Sequence, residues 1–144
     1  MHLDLERTPR DAASLLRLGL PRLLEVCRQY RVRVLILFGS LARGEAGPTS
    51  DIDLAVDFSP DAESDVLAFL EASVAALGTD RVDVVDMRGA PPLVLREIGV
   101  RGVPLYEDEH GLAARLQVAA LGRYMDTAGF RRLRSHLLKA AADG

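Results

Sequence analysis

The chain has 144 residues, 49% of them hydrophobic and 27% charged, a length and composition typical of one soluble globular domain with its own core. No apolar run approaches the ~20 residues that a membrane-spanning helix needs, and the single cysteine, Cys27, excludes an internal disulfide. The formal net charge of −3 disfavours a sequence-independent nucleic-acid binder. The charged N-terminus lacks the apolar run of a signal peptide, so we expect a cytoplasmic protein.

The charges are unevenly distributed along the chain. Residues 35–110 contain five arginines and fifteen acidic residues, which leaves −10, whereas the segments before and after them carry +3 and +4. Solvated surfaces explain most of these charges. The acidic middle of the chain is nevertheless the part that could bind cations.

The predicted elements alternate between helix and strand. Hydrophobic spacing predicts helices over 11–31, 60–77, 91–100 and 109–141, and strands over 31–38, 51–58, 80–87 and 102–107. We expect a break in the first helix near Gly19–Pro21, with Pro21 in the first turn of a second helix. We expect another break near Asp126–Gly129. Residues 1–144 are interpreted as one domain, with its core at about 21–107 and a C-terminal helical segment at about 108–141.

This alternation predicts an α/β (α+β) fold, with a small mixed sheet of about four strands and flanking helices. Only about a dozen residues join the first two strands, which is at the lower limit for a parallel crossover. We therefore expect these strands to be antiparallel. The helix predicted over 60–77 is long enough to bring the third strand parallel to the second.

Two aspartates lie at the start of the second predicted strand. Side chains alternate along a strand, so Asp51 and Asp53 share one face while Ile52 faces the core. Two carboxylates on one face repel each other unless a cation or a proton neutralises them. Mg²⁺ prefers oxygen ligands and typically binds one or two carboxylates. Asp83, between two valines of the third strand, is expected on the same open face, and a third carboxylate permits two ions.

A Gly-Ser pair ends the first strand and begins a short helix. Gly39 allows the backbone to approach a ligand closely, the free amides of a helix start attract phosphate, and Ser40 adds a hydroxyl donor. Arg43 lies one turn further on and could contact a phosphate oxygen. Taken singly, these residues are typical of a plain loop and a surface charge. Their order, followed by Asp-x-Asp and a later Asp, favours a nucleotide and metal site. The Gly-Lys-Ser/Thr ending of a Walker A loop is absent.

The segment GSLARGEAGPTSDIDLAV resembles the signature of the DNA polymerase β-type nucleotidyltransferase superfamily, which is Gly-Ser, ten residues, then Asp-x-Asp, with a later third Asp. Within that superfamily the chain is most similar to the minimal nucleotidyltransferases (MNT), many of which are antitoxins encoded beside HEPN-domain toxins. The resemblance covers about residues 23–107. The C-terminal segment is more loosely similar to the helical end of the MNT antitoxins.

The resemblance implies a role for each motif residue. Asp51 and Asp53 would bind two Mg²⁺ ions, and Asp83 would complete the site of the ion that activates the acceptor hydroxyl. Gly39 and Ser40 would hold the triphosphate of ATP. In-line attack at the α-phosphate would then transfer AMP, with the protein contributing positioning and charge neutralisation. His2, His110 and His136 lie far from the motif in sequence, so a nucleophilic or zinc mechanism has no support.

Four functions remain open at this point. The first is an antitoxin that transfers AMP to a hydroxyl of a partner HEPN toxin, often a tyrosine in the family. The second is a small-molecule nucleotidyltransferase of the aminoglycoside type, although such enzymes usually carry a second domain and only about 37 residues follow residue 107. The third is an antitoxin that neutralises by binding alone, which the intact aspartate trio disfavours. The fourth is an RNA-terminal transferase, which the acidic middle of the chain disfavours.

The C-terminal segment is amphipathic. Its apolar residues fall near one helical stripe, namely Leu112, Leu116, Ala120, Tyr124, Phe130, Leu133 and Leu137, and its other side is basic. This segment either packs back on the sheet or projects from it. Because three other helices compete for the two faces of a small sheet, we expect its end to project and to meet either a second copy of the chain or the toxin.

Overall fold

The computed structural model describes residues 11–143, which form a four-stranded mixed sheet covered by helices on both faces. The elements, in chain order, are α1 (Ala12–Gln29), β1 (Val32–Phe38), α2 (Gly39–Ala42), β2 (Ile52–Phe58), α3 (Val66–Leu77), β3 (Val82–Asp86), a 3-10 helix (Met87–Gly89), α4 (Pro92–Arg101), β4 (Val103–Glu107), α5 (Leu112–Asp126) and α6 (Ala128–Asp143). The predicted fold class and strand number are confirmed.

The strand order in the sheet is β3-β2-β1-β4. β1 is antiparallel to both β2 and β4, whereas β2 and β3 are parallel. The two predictions made from connection lengths are therefore confirmed. The link from β1 to β2 is too short to cross the sheet, and α3 supplies the longer crossover that parallel pairing requires.

Alternating residues of the central strands contribute to two apolar clusters, one on each face of the sheet. One cluster lies under α1 and α3, where Leu23, Cys27 and Phe69 have no exposed surface. The other lies under α4 and α5 and includes Ile98, which has no exposed surface. The cluster under α1 and α3 also includes Ala12, in the first turn of α1.

The predicted break near Gly19–Pro21 is wrong, because α1 is continuous over 18 residues and contains Pro21. Gly19 is a packing position instead. A Cβ at Gly19 would lie 2.8 Å from the carbonyl oxygen of Ala76 and 2.8 Å from Cδ2 of Leu77, so its absence lets α1 and α3 approach closely. Pro21 removes one helical hydrogen bond, but it is exposed, so water can solvate the carbonyl that is left free.

The helix predicted from residue 60 begins instead at Val66. The Asp65 carboxylate caps it by accepting a hydrogen bond from the Ala68 amide at 3.0 Å. Upstream of it, the Ser59 hydroxyl donates to the Asp61 carboxylate at 2.6 Å, which stabilises a turn. Such local side-chain hydrogen bonds compete with helix formation, so the proline after Ser59 begins a turn and the helix starts later.

The C-terminal segment is divided into two helices, as predicted. α5 packs against α4 and contributes Ala113 and Ala120 to the core. α6 has no buried residue, and the guanidinium of Arg131 stacks 4.0 Å from the ring centroid of Tyr124 at the junction with α5. Within residues 11–143, no helix has the length and apolar character that crossing a membrane requires.

Candidate active site

The three aspartates of the motif lie at one end of the β2–β3 pair. Asp53 and Asp83 are Cα partners in the parallel pairing, so their side chains leave the sheet on the same face. Asp51 immediately precedes β2, and the Ile52 amide that follows it donates to the Arg81 carbonyl at 2.8 Å. Ile52 and Val82 are buried on the opposite face, which fixes the direction of the carboxylates.

Gly39 brings the backbone of the α2 turn directly against Asp53. Phe38 is the Cα partner of Asp53 in the antiparallel pair, and Gly39 follows it with φ +77°, in the left-handed region that favours glycine. A Cβ at Gly39 would overlap Oδ2 of Asp53 and lie 3.0 Å from its Cγ. Glycine is therefore required here both by backbone conformation and by the neighbouring carboxylate.

The electrostatics of this edge centre on Asp53. Burial raises the pKa of its carboxyl above the usual 3.8, the negative charges of Asp83 and Asp51 raise it further, and the guanidinium of Arg43 partly opposes them. Asp53 is half-buried and forms no ion pair within residues 11–143, whereas Asp51 and Asp83 are exposed. The edge therefore concentrates negative charge that Arg43 offsets only in part and that no ion pair to Asp53 within residues 11–143 neutralises.

These carboxylates are suited to a hard divalent cation. They supply oxygen ligands, and their mutual repulsion is the cost that a bound cation relieves. In residues 11–143, no three His, Cys, Asp or Glu side chains converge closely enough to form a ready metal cage. Asp51 and Asp83 are exposed, however, so their side chains can rotate towards Asp53. His110 and His136 are exposed elsewhere, and His2 lies outside the described residues.

The remaining predicted residues belong to α2. Ser40 is its second residue and is half-buried. Arg43 follows its last residue, and its guanidinium forms ion pairs of 3.0 Å with both Glu45 and Glu97. The structure thus places Arg43 beside the aspartate edge but engages its guanidinium with two carboxylates, which the sequence analysis did not anticipate.

The sequence analysis also missed the contribution of α4. Glu97 contacts Arg43 across 54 residues of sequence, and Arg96 and Arg101 line the same cavity as this ion pair. The i, i+4 spacing of Glu97 and Arg101 would have indicated a shared face for these two residues. No motif marks this face, however, and only the packing of α4 on the sheet brings it to α2.

A family model described as "Polymerase beta, Nucleotidyltransferase" matches residues 22–111. A protein described as a minimal nucleotidyltransferase is 33% identical, with a TM-score of 0.54 over 72% of this chain and 97% of its own. No curated protein matches the chain with significant similarity.

The fold is also shared with two toxin–antitoxin structures. The first, a toxin–antitoxin with AMP-PNP, is 21% identical with a TM-score of 0.67, and the match covers 83% of this chain and 98% of the other. The second is a tri-AMPylated HEPN toxin from Shewanella oneidensis in complex with an MNT antitoxin. It is 20% identical with a TM-score of 0.64, and the match covers 85% of this chain and 98% of the other.

Proposed function

The chain belongs to the polymerase beta nucleotidyltransferase family, and from this premise we propose that it transfers AMP from ATP to a hydroxyl group of a partner HEPN toxin, as the antitoxin of that toxin. The observation that carries the proposal is the edge at which Asp53 and Asp83 lie opposite each other, with Gly39 against Asp53. Support for the protein acceptor comes from the AMPylated toxin of the S. oneidensis complex, whose antitoxin shares the fold.

In the proposed reaction, the acceptor oxygen forms a bond to the α-phosphorus of ATP. The bond from that phosphorus to the bridging oxygen of the β-phosphate breaks, pyrophosphate leaves, and the hydroxyl proton passes to solvent. Asp51, Asp53 and Asp83 would hold Mg²⁺, which when bound lowers the pKa of the acceptor hydroxyl and neutralises charge on the phosphates.

The α2 turn would position the nucleotide. Gly39 lets the α2 turn lie directly against the Asp53 carboxylate, and the Ser40 hydroxyl would donate a hydrogen bond to a phosphate oxygen. Because α2 packs between β1 and β2, the turn and the aspartates would keep a fixed separation. This preorganisation would hold the α-phosphorus in line with the acceptor.

The partner would bind at least in part through α6. Its apolar residues are unusually exposed, from 55% for Leu133 to 80% for Phe130, and Leu137 and Leu138 continue the same surface. Exposed apolar stripes of this kind mark interaction surfaces. Arg134 borders this stripe, and the only acidic residue of α6 is Asp143. Two α6 helices placed face to face would oppose like charges, which favours a partner with an acidic rim over a second copy.

Neutralisation by binding alone is the second candidate, and the exposed stripe of α6 favours it. A partner held there could be inhibited without any chemistry at the aspartates. The two candidates therefore share an interface and differ in whether the aspartates are needed.

The test combines the purified chain, the HEPN protein encoded beside it, Mg²⁺ and α-labelled ATP. We expect label on the HEPN protein, and Asp51→Asn with Asp53→Asn should lower transfer by about 10³-fold or more while the chain stays folded. Retained transfer in this double variant would assign the chemistry to other residues. Lost transfer with full neutralisation of the toxin would support the binding-only function. Label on an added aminoglycoside, and not on protein, would support a small-molecule enzyme.

A further inference from the structure

A cavity of about 220 Å³ lies where α2 ends against α4. Its lining is strongly charged and consists of Arg43, Glu45, Arg96, Glu97, Val100 and Arg101. Arg96, Glu97, Val100 and Arg101 lie outside the segment that resembles the nucleotidyltransferase signature.

We call this cavity the arginine cavity, and the positive and negative charges of its lining residues do not cancel. Both carboxylates, on Glu45 and Glu97, are already engaged by the single guanidinium of Arg43. Arg96 and Arg101 form no ion pair with any residue of the described range 11–143, and both are exposed. The cavity therefore holds an excess positive charge and two guanidinium groups that no carboxylate of residues 11–143 engages.

Guanidinium groups bind phosphate well because their planar N–H donors match two oxygens at once. A compact polyphosphate would bring several such oxygens into the cavity. Adenine, ribose or the apolar parts of a protein acceptor would offer the arginines no comparable charge.

The arginine cavity is continuous with the catalytic edge through α2. The Arg43 amide donates to the Gly39 carbonyl at 3.2 Å, so one helical turn separates the cavity from the residue that touches Asp53. Four helical residues span roughly 6 Å. A triphosphate whose α-phosphate lies at the aspartates could therefore extend along α2 towards Arg96 and Arg101.

We propose that Arg96 and Arg101 of α4 form, together with Arg43, a subsite for the β- and γ-phosphates of the nucleotide, which also retains pyrophosphate after transfer. This inference rests on the proposed nucleotidyl transfer, and it adds residues outside the motif to the substrate site. The contrasting role for these arginines is structural, since Arg101 lies in the last turn of α4, where a positive charge stabilises the helix dipole.

The test is calorimetric titration of the full chain with ATP, AMP and inorganic pyrophosphate, each with Mg²⁺. In Arg96→Ala with Arg101→Ala, the affinities for ATP and pyrophosphate should fall about 10- to 100-fold, whereas the affinity for AMP should stay within about twofold. The matched control is Arg17→Ala with Arg22→Ala. It makes the same charge change at exposed positions of α1, on the other face of the sheet, and should leave all three affinities unchanged.

Several results would overturn the inference. One is failure of the unaltered chain to bind pyrophosphate, and another is an equal loss of AMP and ATP affinity in the double variant. A third is unchanged ATP affinity with a raised KM for the acceptor protein, which would assign the cavity to the acceptor. If the double variant unfolds, Arg96→Gln alone should still weaken pyrophosphate binding by several-fold, and no change there would also refute the subsite. Because binding is measured without an acceptor, absence of AMP transfer would count against the proposed function and not against the subsite.

Discussion

Gly39→Ala adds one methyl group between the α2 turn and Asp53. The new Cβ would overlap Oδ2 of Asp53 and lie 3.0 Å from its Cγ and 3.3 Å from its Cβ. Because three atoms of the side chain are crowded, rotation of the carboxylate alone cannot relieve the overlap. The aspartate or the turn has to move by roughly 1 Å, in a structure packed as densely as a crystal.

The size of the effect has two parts. An alanine at φ +77° is strained by about 1–2 kcal/mol, and the overlap adds about 1–3 kcal/mol, so the free energy of unfolding should fall by about 2–5 kcal/mol. A displacement of about 1 Å at a catalytic group lowers a rate by roughly 10²-fold. We therefore expect a loss of AMP transfer on that scale in the folded variant.

Gly44→Ala is the matched control for this substitution. Gly44 has φ +73°, but no atom lies within 4 Å of its ideal Cβ. It should show only the backbone strain of about 1–2 kcal/mol in urea denaturation, with transfer close to that of the unaltered chain. Equal transfer rates in the two folded variants would refute the reasoning, because they would mean that contact between the turn and Asp53 does not matter for the reaction.

Three further predictions concern the aspartate edge, the core and the tail. Because the pKa of Asp53 is raised in the folded chain, the stability that its protonated form contributes is complete below the usual pKa of 3.8 and is lost as the pH rises through the raised pKa. In urea titrations, metal-free Asp53→Asn should therefore be more stable than the unaltered chain near pH 7 and should lose that advantage near pH 3. An advantage that is independent of pH would contradict this. Burial raises the pKa of the Cys27 thiol to about 12, so a thiol reagent should modify it only on unfolding, and rapid modification of the native chain would show that the core opens there. Deleting residues 127–144, which removes α6, should leave ATP binding unchanged and should weaken partner binding in a salt-dependent manner. Aggregation of the shortened chain, or partner binding as strong as that of the full chain, would each contradict this.

Local patterns predicted the elements that bear the motif. Alternation placed Asp51 and Asp53 opposite Ile52, and connection length predicted both strand pairings. These inferences succeeded because the strand period and the reach of a short loop are properties of neighbouring residues. They needed no knowledge of what packs on the sheet.

Two features that the sequence did not reveal depend on residues distant in the chain. Gly19 is typical of a helix break, yet its packing against Ala76 and Leu77 makes it part of a continuous α1. Arg43 is typical of a free cation near a phosphate loop, yet Glu97, 54 residues away, contributes one of its two ion pairs. Neither contact leaves a local signal, so sequence reasoning could name Arg43 but not its surroundings.

The carboxylates that the fold protects from water differ in what they bind. The buried Asp57 receives two hydrogen bonds from Arg33, at 2.9 and 2.5 Å, and the half-buried Asp86 and Glu97 pair with Arg88 and Arg43.

Asp53 is half-buried like Asp86 and Glu97, yet no basic side chain of residues 11–143 pairs with it. Asp83 lies opposite it in the sheet, and the negative charges of Asp83 and Asp51 both raise its pKa. A fold that neutralises its other partly buried aspartates with arginine leaves this one for a charge that arrives from solution. The charge of Arg43 lowers the pKa of Asp53, but its guanidinium is paired with Glu45 and Glu97 and not with Asp53. Because Arg43 is engaged by the two glutamates, the aspartate edge stays available to a cation. Removing the charge of Asp53 should therefore stabilise the metal-free chain and abolish the proposed AMP transfer.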